Sequence, residues 1–302
     1  MMRIVVTGAN KGIGYEIVRC VRGHFATTEH GAEIWMACRN LELGQKALRE
    51  ILSQEMGGAQ NKVSLKLVEL DLTKPDTIQS AATTVGAPVD VLINNAGMAY
   101  KGDAFGREVA AHTIGTNFEG TLLVIEAFLP LMLSPSSSGG SDSSSKNRSP
   151  PSNPRGTTTR IINVASRAGL LSPRRYSQDL LRRWTSVKKM DDIFQLTQEF
   201  TKAAGDGSYE ARGWPRQTYA VSKAAEIAMT QLLANQYRQQ GMFFYTCCPG
   251  WCRTDMAGSR APRSAQEGAD TPAWLACVPD AALPPTGSFV TERRVQSWLV
   301  QE

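Results

Sequence analysis

The residues of this 302-residue chain that could do chemistry gather around Tyr219-Ala220-Val221-Ser222-Lys223. Residues four apart share one face of a helix, so the Tyr219 phenol and the Lys223 ammonium are expected side by side. A cation next to a phenol favours the phenolate and lowers its pKa from the ordinary value near ~10, which would make Tyr219 a general acid near neutral pH. Alone the spacing is weak, because a tyrosine and a lysine fall four apart on many helices without any function. The weight comes from what precedes and follows the pair.

A proton donor needs a reacting group, and the amino terminus offers a place to bind one. The apolar run Ile4 to Val6 leads into Thr7-Gly8-Ala9-Asn10-Lys11-Gly12-Ile13-Gly14, followed by Ile17, Val18 and Val21 at helical spacing. Strand, glycine-rich turn and helix is the arrangement in which bare backbone lets a pyrophosphate approach a helix amino terminus. The second strand, Glu33 to Cys38, ends in Arg39-Asn40. A site for NAD usually carries a carboxylate there, whereas NADP needs a cation, so Arg39, joined by Lys11, points to the phosphorylated cofactor. The third strand, Val63 to Leu70, ends at Asp71-Leu72, where the carboxylate either receives an adenine amino group or caps a helix opening at Pro75. The fourth, Val89 to Ile93, runs into Asn94-Asn95-Ala96-Gly97, small and amide residues that let a flat ring lie against backbone. A long helix from about Glu108 to Leu133 carries Asn117, which is either an ordinary satisfied amide or a kink holding a water beside the site.

Two stretches interrupt this pattern. Residues 134–159 are a low-complexity run of Ser, Pro, Gly, Asn and Arg, expected as a surface loop that either carries phosphorylation sites or is neutral. After a fifth strand, Arg160 to Val164, comes Ala165-Ser166. Between Ser166 and Tyr219 the apolar positions Leu180, Leu181, Trp184, Ile193, Leu196 and Phe200 suggest a helical insertion over 170–215, with two amphipathic helices that need a surface to cover. Phe243 to Cys247 gives a sixth strand ending in Cys248-Pro249-Gly250-Trp251-Cys252-Arg253-Thr254-Asp255-Met256. A helix from Ser264 to Ala276 has Glu267 as its capping-box partner, and the last strand is Ser288 to Val290. Strands alternating with helices predict an α/β fold, a doubly wound parallel sheet flanked by helices, as one domain over 1–302.

Composition sets outer bounds. A 42% hydrophobic content supports a full core, and a net charge of +5 from 33 basic and 28 acidic residues is too small to argue for nucleic acid. The six cysteines match no zinc pattern and read as reduced thiols, so no metal is expected. The sequence shows no signal-peptide layout, no apolar stretch of the ~20 residues a membrane span requires and no lipidation motif, which makes the cytoplasm the default location and no membrane the expected partner.

Taken in order, Thr7 to Gly14, Asn94 to Gly97, Asn117, Ser166, Tyr219 with Lys223, and Pro249-Gly250 with Thr254 resemble a short-chain dehydrogenase/reductase across nearly the whole chain. Within that superfamily, Gly213-Trp214-Pro215, Cys247 to Trp251 and Arg253 to Gly258 resemble the monomeric NADPH-dependent carbonyl reductases. The resemblance implies a Rossmann fold, NADPH/NADP+ as cofactor and a small-molecule carbonyl substrate reduced to an alcohol. It implies that Tyr219 protonates the carbonyl oxygen, that Ser166 hydrogen-bonds it, that Lys223 holds the nicotinamide ribose, and that Asn117 positions a water. For the cofactor it implies the turn of Gly8, Asn10, Lys11, Gly12, Ile13 and Gly14. Arg39, Asp71, Leu72, Asn95, Ala96 and Gly97 would take the adenosine half and the ring's backing. Pro249, Gly250, Cys252 and Thr254 would grip the carboxamide and pyrophosphate.

The substrate wall is expected from Arg167, Trp214, Trp251 and Met256. Arg167 stands where those reductases usually have an aliphatic residue, and it either meets an acidic substrate or faces solvent. Trp214 and Trp251 are pocket wall or core aromatics. Cys248 is an oxidant-sensitive thiol near the nicotinamide or an inert buried one. An inserted helical pair over the helices bearing Asn117 and Tyr219 would block the pairing of subunits, which makes a monomer the expected state. Two competing readings are a dedicated reductase of a pterin or another ketone, and a dinucleotide-binding sensor without catalysis.

Overall fold

The computed structural model describes residues 1–54, 62–133 and 158–300. The sequence-predicted surface loop therefore lies outside the described residues over 134–157, while Thr159 of that stretch already belongs to a strand.

Seven strands run parallel: β1 (Met2–Thr7), β2 (Ala32–Cys38), β3 (Val63–Glu69), β4 (Val91–Asn94), β5 (Thr159–Val164), β6 (Met242–Cys248) and β7 (Phe289–Thr291). An eighth, β8 (Arg294–Gln296), returns antiparallel to β7. The order across the sheet is β3-β2-β1-β4-β5-β6-β7-β8. Successive side chains of a strand point to opposite faces, and here both faces are covered. Ile4 and Val6 of β1, Ile34 and Met36 of β2 and Ile93 of β4 join one apolar core. Val5, Trp35, Ala37, Leu92 and Ile161 join the other.

On the first face lie α1 (Gly12–Thr27), α2 (Leu41–Ser53) and α9 (Ala265–Cys277). On the second lie α3 (Pro75–Val85), α4 (Arg107–Ile114), α5 (Gly120–Met132), α6 (Gln178–Thr185), α7 (Met190–Asp206) and α8 (Thr218–Gln236). Several helix starts have a local cause. Asn40 accepts from Leu43 N at the head of α2, Pro75 opens α3 where its missing N–H costs nothing, and Ser264 with Glu267 forms a reciprocal capping box on α9.

The long helix expected over Glu108 to Leu133 is two α-helices joined by a π-turn, Gly115–Glu119, which carries Asn117. The expected last strand is a hairpin of β7 and β8. Its turn residues, Glu292 and Arg293, take left-handed φ values of 51° and 59°. Ion pairs to Arg263 and Asp270 hold them there.

The sheet order reverses between β1 and β4. Chain leaving β1 turns one way and chain leaving β4 the other, which opens a crevice above their carboxyl ends.

Candidate active site

The crevice is a cavity of about 670 Å³, within the range of small-molecule and cofactor sites. Its floor is backbone. Gly8 and Gly12 sit at φ +65° and +56°, the left-handed region in which glycine carries no steric cost. A Cβ at Gly14 would fall 2.3 Å from the Gly8 carbonyl oxygen, so the turn closes on itself only because that side chain is absent. The amino terminus of α1 opens at this turn, and Lys11, Gly12 and Ile13 line the cavity. Unpaired N–H groups at a helix start suit an anion.

The neighbouring strand ends are tied together by side-chain amides and hydroxyls. Asn95 Nδ2 donates to the Thr7 and Gly8 carbonyls at 3.0 and 3.3 Å, and the Asn95 and Ala96 N–H groups both donate to Thr7 Oγ1 at 3.0 Å. Deeper in the sheet, Asn94 Nδ2 donates to Asn163 Oδ1 at 2.9 Å and Asn163 Nδ2 to Thr230 Oγ1 of α8 at 2.8 Å. These bonds fix the height of α8 against the strand ends.

At the far end of the crevice, Arg39, Leu70, Asp71 and Leu72 form the wall. The Asp71 carboxylate accepts from the Thr73 N–H and hydroxyl at 3.0 and 2.8 Å. Burial works against its charge, but those bonds, Lys74 and Arg39 hold it below the usual carboxylate range. Asp71 is thus bound up in the turn before α3 and also faces the cavity. Lys11 Nζ pairs with Asp255 Oδ2 at 2.7 Å, an exposed contact between the glycine turn and the loop after β6. Arg39 remains as a cation on the cavity wall.

Tyr219 and Lys223 line the opposite end with Val164, Ala165, Pro249, Thr254 and Met256. Ser166 is near enough to the Tyr219 phenol to pull its pKa down, and Lys223 Nζ lies 5.6 Å from the phenol ring's centre. Ser166 is itself held, accepting from Ala168 N at 3.1 Å. The short 3₁₀ turn that follows it, Arg167–Gly169, presses against α8. A Cβ at Gly169 would meet the Lys223 carbonyl carbon at 2.6 Å. Asn117 Oδ1 accepts from Met98 N at 2.8 Å, and its Nδ2 donates to Met98 O at 2.9 Å and Ser222 Oγ at 3.0 Å. The ideal Cβ position of Gly97 lies 3.2 Å from Asn117 Oδ1 and 3.6 Å from Lys223 Nζ, so all three meet at one point.

Lys223 pulls the Tyr219 pKa down as expected, but the net shift is upward. Burial raises it, and the Glu226 carboxylate adds to that rise, so the opposing pull of Lys223 and Ser166 does not prevail. Burial is the main cause of the rise, and Glu226 offsets part of the pull that Lys223 exerts. The Glu226 oxygens lie 2.7 and 3.0 Å from Lys223 Nζ, with side chains 3% and 5% exposed. The phenol is consequently a donor that keeps its proton through neutral pH. Glu226 follows Lys223 by three residues, a spacing that marks it as a neighbour on the same helix face.

Other expected residues scatter. Arg167 is exposed and off the cavity wall. Trp214 is 4% exposed, packed in an aromatic cluster with Tyr176, Trp184 and Phe200. Trp251 is 57% exposed and Met256 40%, and of the two only Met256 lines the cavity. Gly14, Asn117, Ser166, Gly250 and Cys252 are not among the residues that line it. Cys248 is buried, its Sγ accepting from Arg167 N and Gly250 N at 3.3 Å each. Met98, Lys101, His112 and Thr116 line the cavity without having been singled out. Thr116 and His112 precede Asn117 by one residue and five, on the helix already known to approach the site.

A dinucleotide fits this crevice. It is large enough, its floor is a glycine cradle that a Cβ would obstruct, and the Thr116 hydroxyl, buried on its wall, has no partner.

The sequence profile of the short chain dehydrogenase family matches residues 2–141. Carbonyl reductase [NADPH] 1 of Mus musculus is 31% identical over 304 residues, spanning 97% of each chain. Carbonyl reductase [NADPH] 3 of Rattus norvegicus is 30% identical with the same coverage. Among solved structures, salutaridine reductase from Papaver somniferum superposes with a TM-score of 0.75 at 23% identity, over 96% of this chain and 99% of that one. NADPH-bound carbonyl reductase from chicken fatty liver gives 0.64 at 24%, over 99% and 94%. The structural likenesses speak for the fold, and the sequence likeness along both full chains settles the kinship: this chain belongs to the short-chain dehydrogenase/reductase family, beside the carbonyl reductases.

Proposed function

We propose that this chain reduces the carbonyl group of aldehydes, ketones or quinones to an alcohol, with Tyr219 as the general acid. It is an NADPH-dependent oxidoreductase of carbonyl reductase type. The observation that carries the proposal is the placing of Tyr219 and Lys223 together at one end of a glycine-floored crevice, with Ser166 near enough to the phenol to act on it.

When bound, NADPH supplies the hydride. The glycine turn and the start of α1 would hold its pyrophosphate, Arg39 its 2′-phosphate, and Asn95 to Gly97 with Thr254 the nicotinamide half. Tyr219 gives its proton to the carbonyl oxygen, and Ser166 hydrogen-bonds the same oxygen so that developing charge meets a fixed donor. Lys223 balances the phenolate left behind. Asn117, locked to Met98 by both ends of its amide, keeps the π-turn and the Lys223 end of α8 in register. Met256, on the cavity wall, is the one expected substrate contact that the geometry supports; Trp251 is exposed and does not line the cavity.

NADPH oxidation with menadione or isatin as acceptor, compared between the wild type and Tyr219→Phe, tests this reading. The variant is expected to lose about 10³-fold in kcat, the scale of general acid catalysis. Equal rates would remove Tyr219 from the mechanism.

A further inference from the structure

Glu226 is a buried ionisable group next to the site that the mechanism above leaves without a task. It lies on the face of α8 that is turned into the protein, where apolar side chains would ordinarily pack. A buried ion pair adds little net stability over a well-packed apolar pair, because both charges must be stripped of water. A carboxylate kept in such a position therefore calls for a reason other than stability. Its geometry supplies one. Lys223 Nζ has three hydrogens. Glu226 Oε1 and Oε2, at 2.7 and 3.0 Å, and the Val164 carbonyl, at 3.3 Å, surround it.

We propose that Glu226 is a positioning residue that acts through Lys223, screening the ammonium so that the Tyr219 phenol stays protonated and loaded for reduction. The inference rests on the reading of Tyr219 as the acid. Without the carboxylate, a bare cation would stand 5.6 Å from the phenol ring and favour the phenolate. With it, part of that pull is offset, and because burial drives the Glu226 carboxyl up to about 7, the screening charge is present on the alkaline side of that value. The surroundings leave this balance to the pair itself. Besides Tyr219 on the same helix, β6 contributes the Cys247 and Cys248 thiols, both coupled to Lys223. The end of β5 contributes the Val164 carbonyl and the π-turn the Asn117 amide, while Arg167 faces solvent. Among the described residues, Lys223 is the one charged group coupled to Glu226, and α4 and α7 bring none.

The test is the pH dependence of kcat for the NADPH-loaded enzyme with menadione, in the wild type, Glu226→Gln and Glu226→Asp. The alkaline limb reports loss of the acid's proton. In Glu226→Gln it is expected to move to lower pH by about one unit, the scale of one nearby charge, and in Glu226→Asp by less, since the shorter carboxylate still screens. A residue with a merely structural role would scale the rate or lower the Tm and leave the limb in place, so normalised profiles that superimpose overturn the inference. Should Glu226→Gln fail to fold, Glu226→Asp decides by the same criterion. Tyr219→Phe assayed in parallel separates the two readings. If it is as active as the wild type, the acid assignment falls; if it is inactive while the Glu226 profiles are unmoved, only the screening role falls.

Discussion

Each functional side chain in the crevice is held by contacts that could be broken singly. Arg39 is a cation on the cavity wall close enough to Asp71 to lower its carboxyl, while Lys11 is engaged by Asp255. Replacing Arg39 with Asp removes a charge-assisted contact to a 2′-phosphate and adds repulsion, so kcat/KM with NADPH relative to NADH should fall by roughly 10- to 100-fold. An unchanged ratio of the two efficiencies would show that Arg39 does not read the cofactor. At this scale the sequence was informative where chemistry depends on spacing along one helix. Tyr219 and Lys223 could be paired four residues apart, and Asn117 could be suspected of kinking its helix. The same rule would have found Glu226, three residues beyond Lys223, but a charged residue on a helix is read by default as a solvated one. Trp214 misled for a different reason. Its position just before Tyr219 suggested the pocket, yet an indole so near Tyr176, Trp184 and Phe200 is drawn into their cluster.

Elements meet at tolerances finer than a methyl group. The turn after Ser166 approaches α8 so closely that a Cβ at Gly169 would lie 2.6 to 2.8 Å from the backbone of Lys223 and Ala224. Gly169→Ala should therefore push Ser166 away from Tyr219. It is expected to cost about 1–3 kcal/mol of stability from overpacking and to lower kcat by roughly 10- to 100-fold through misplacement. Chemical denaturation and steady-state rates measure the two separately. On the sheet, Glu33 of β2 is bonded by Arg3 of β1, Lys66 of β3 and the Trp35 indole. Burial would raise its carboxyl, but the bonds from Lys66, Trp35 and Arg3 bring it down to about 2. A carboxyl depressed in the folded state adds stability above its ordinary value of 4.5, and that stability is lost as pH falls toward 2. Glu33→Gln should destabilise the protein by about 2 kcal/mol at pH 7, and the gap should close as the pH falls below 3. Urea midpoints across that range check it, and a gap independent of pH would refute the assignment. Strand and helix order was legible because hydrophobic runs and glycine turns are local signals. The β7–β8 hairpin was not, because Glu292-Arg293 lacks the Asn-Gly type of turn chemistry and is held in left-handed geometry by ion pairs with residues from α9 and its approach.

Across the whole molecule, the segment between Ser166 and Tyr219 shapes the outer face. Helix α7 packs on both α4 and α8, with Ile193, Leu196 and Phe200 buried beneath it. The surface next to the catalytic helix is thereby already covered within the chain, which supports a monomer. Gel filtration should give a mass near 32.9 kDa, and a mass near twice that would contradict it. The existence of the insertion was legible in its apolar spacing. Which helices it covers depended on the path of the chain between them, which no local pattern encodes.

The central claim, that Tyr219 and Ser166 together receive the carbonyl oxygen at the end of the dinucleotide crevice, is tested most directly by a crystal structure with NADP+ and a carbonyl-bearing inhibitor. The account predicts the inhibitor oxygen within about 2.6–3.2 Å of both the Tyr219 Oη and the Ser166 Oγ. An inhibitor bound in the crevice with its oxygen out of reach of both hydroxyls would contradict it.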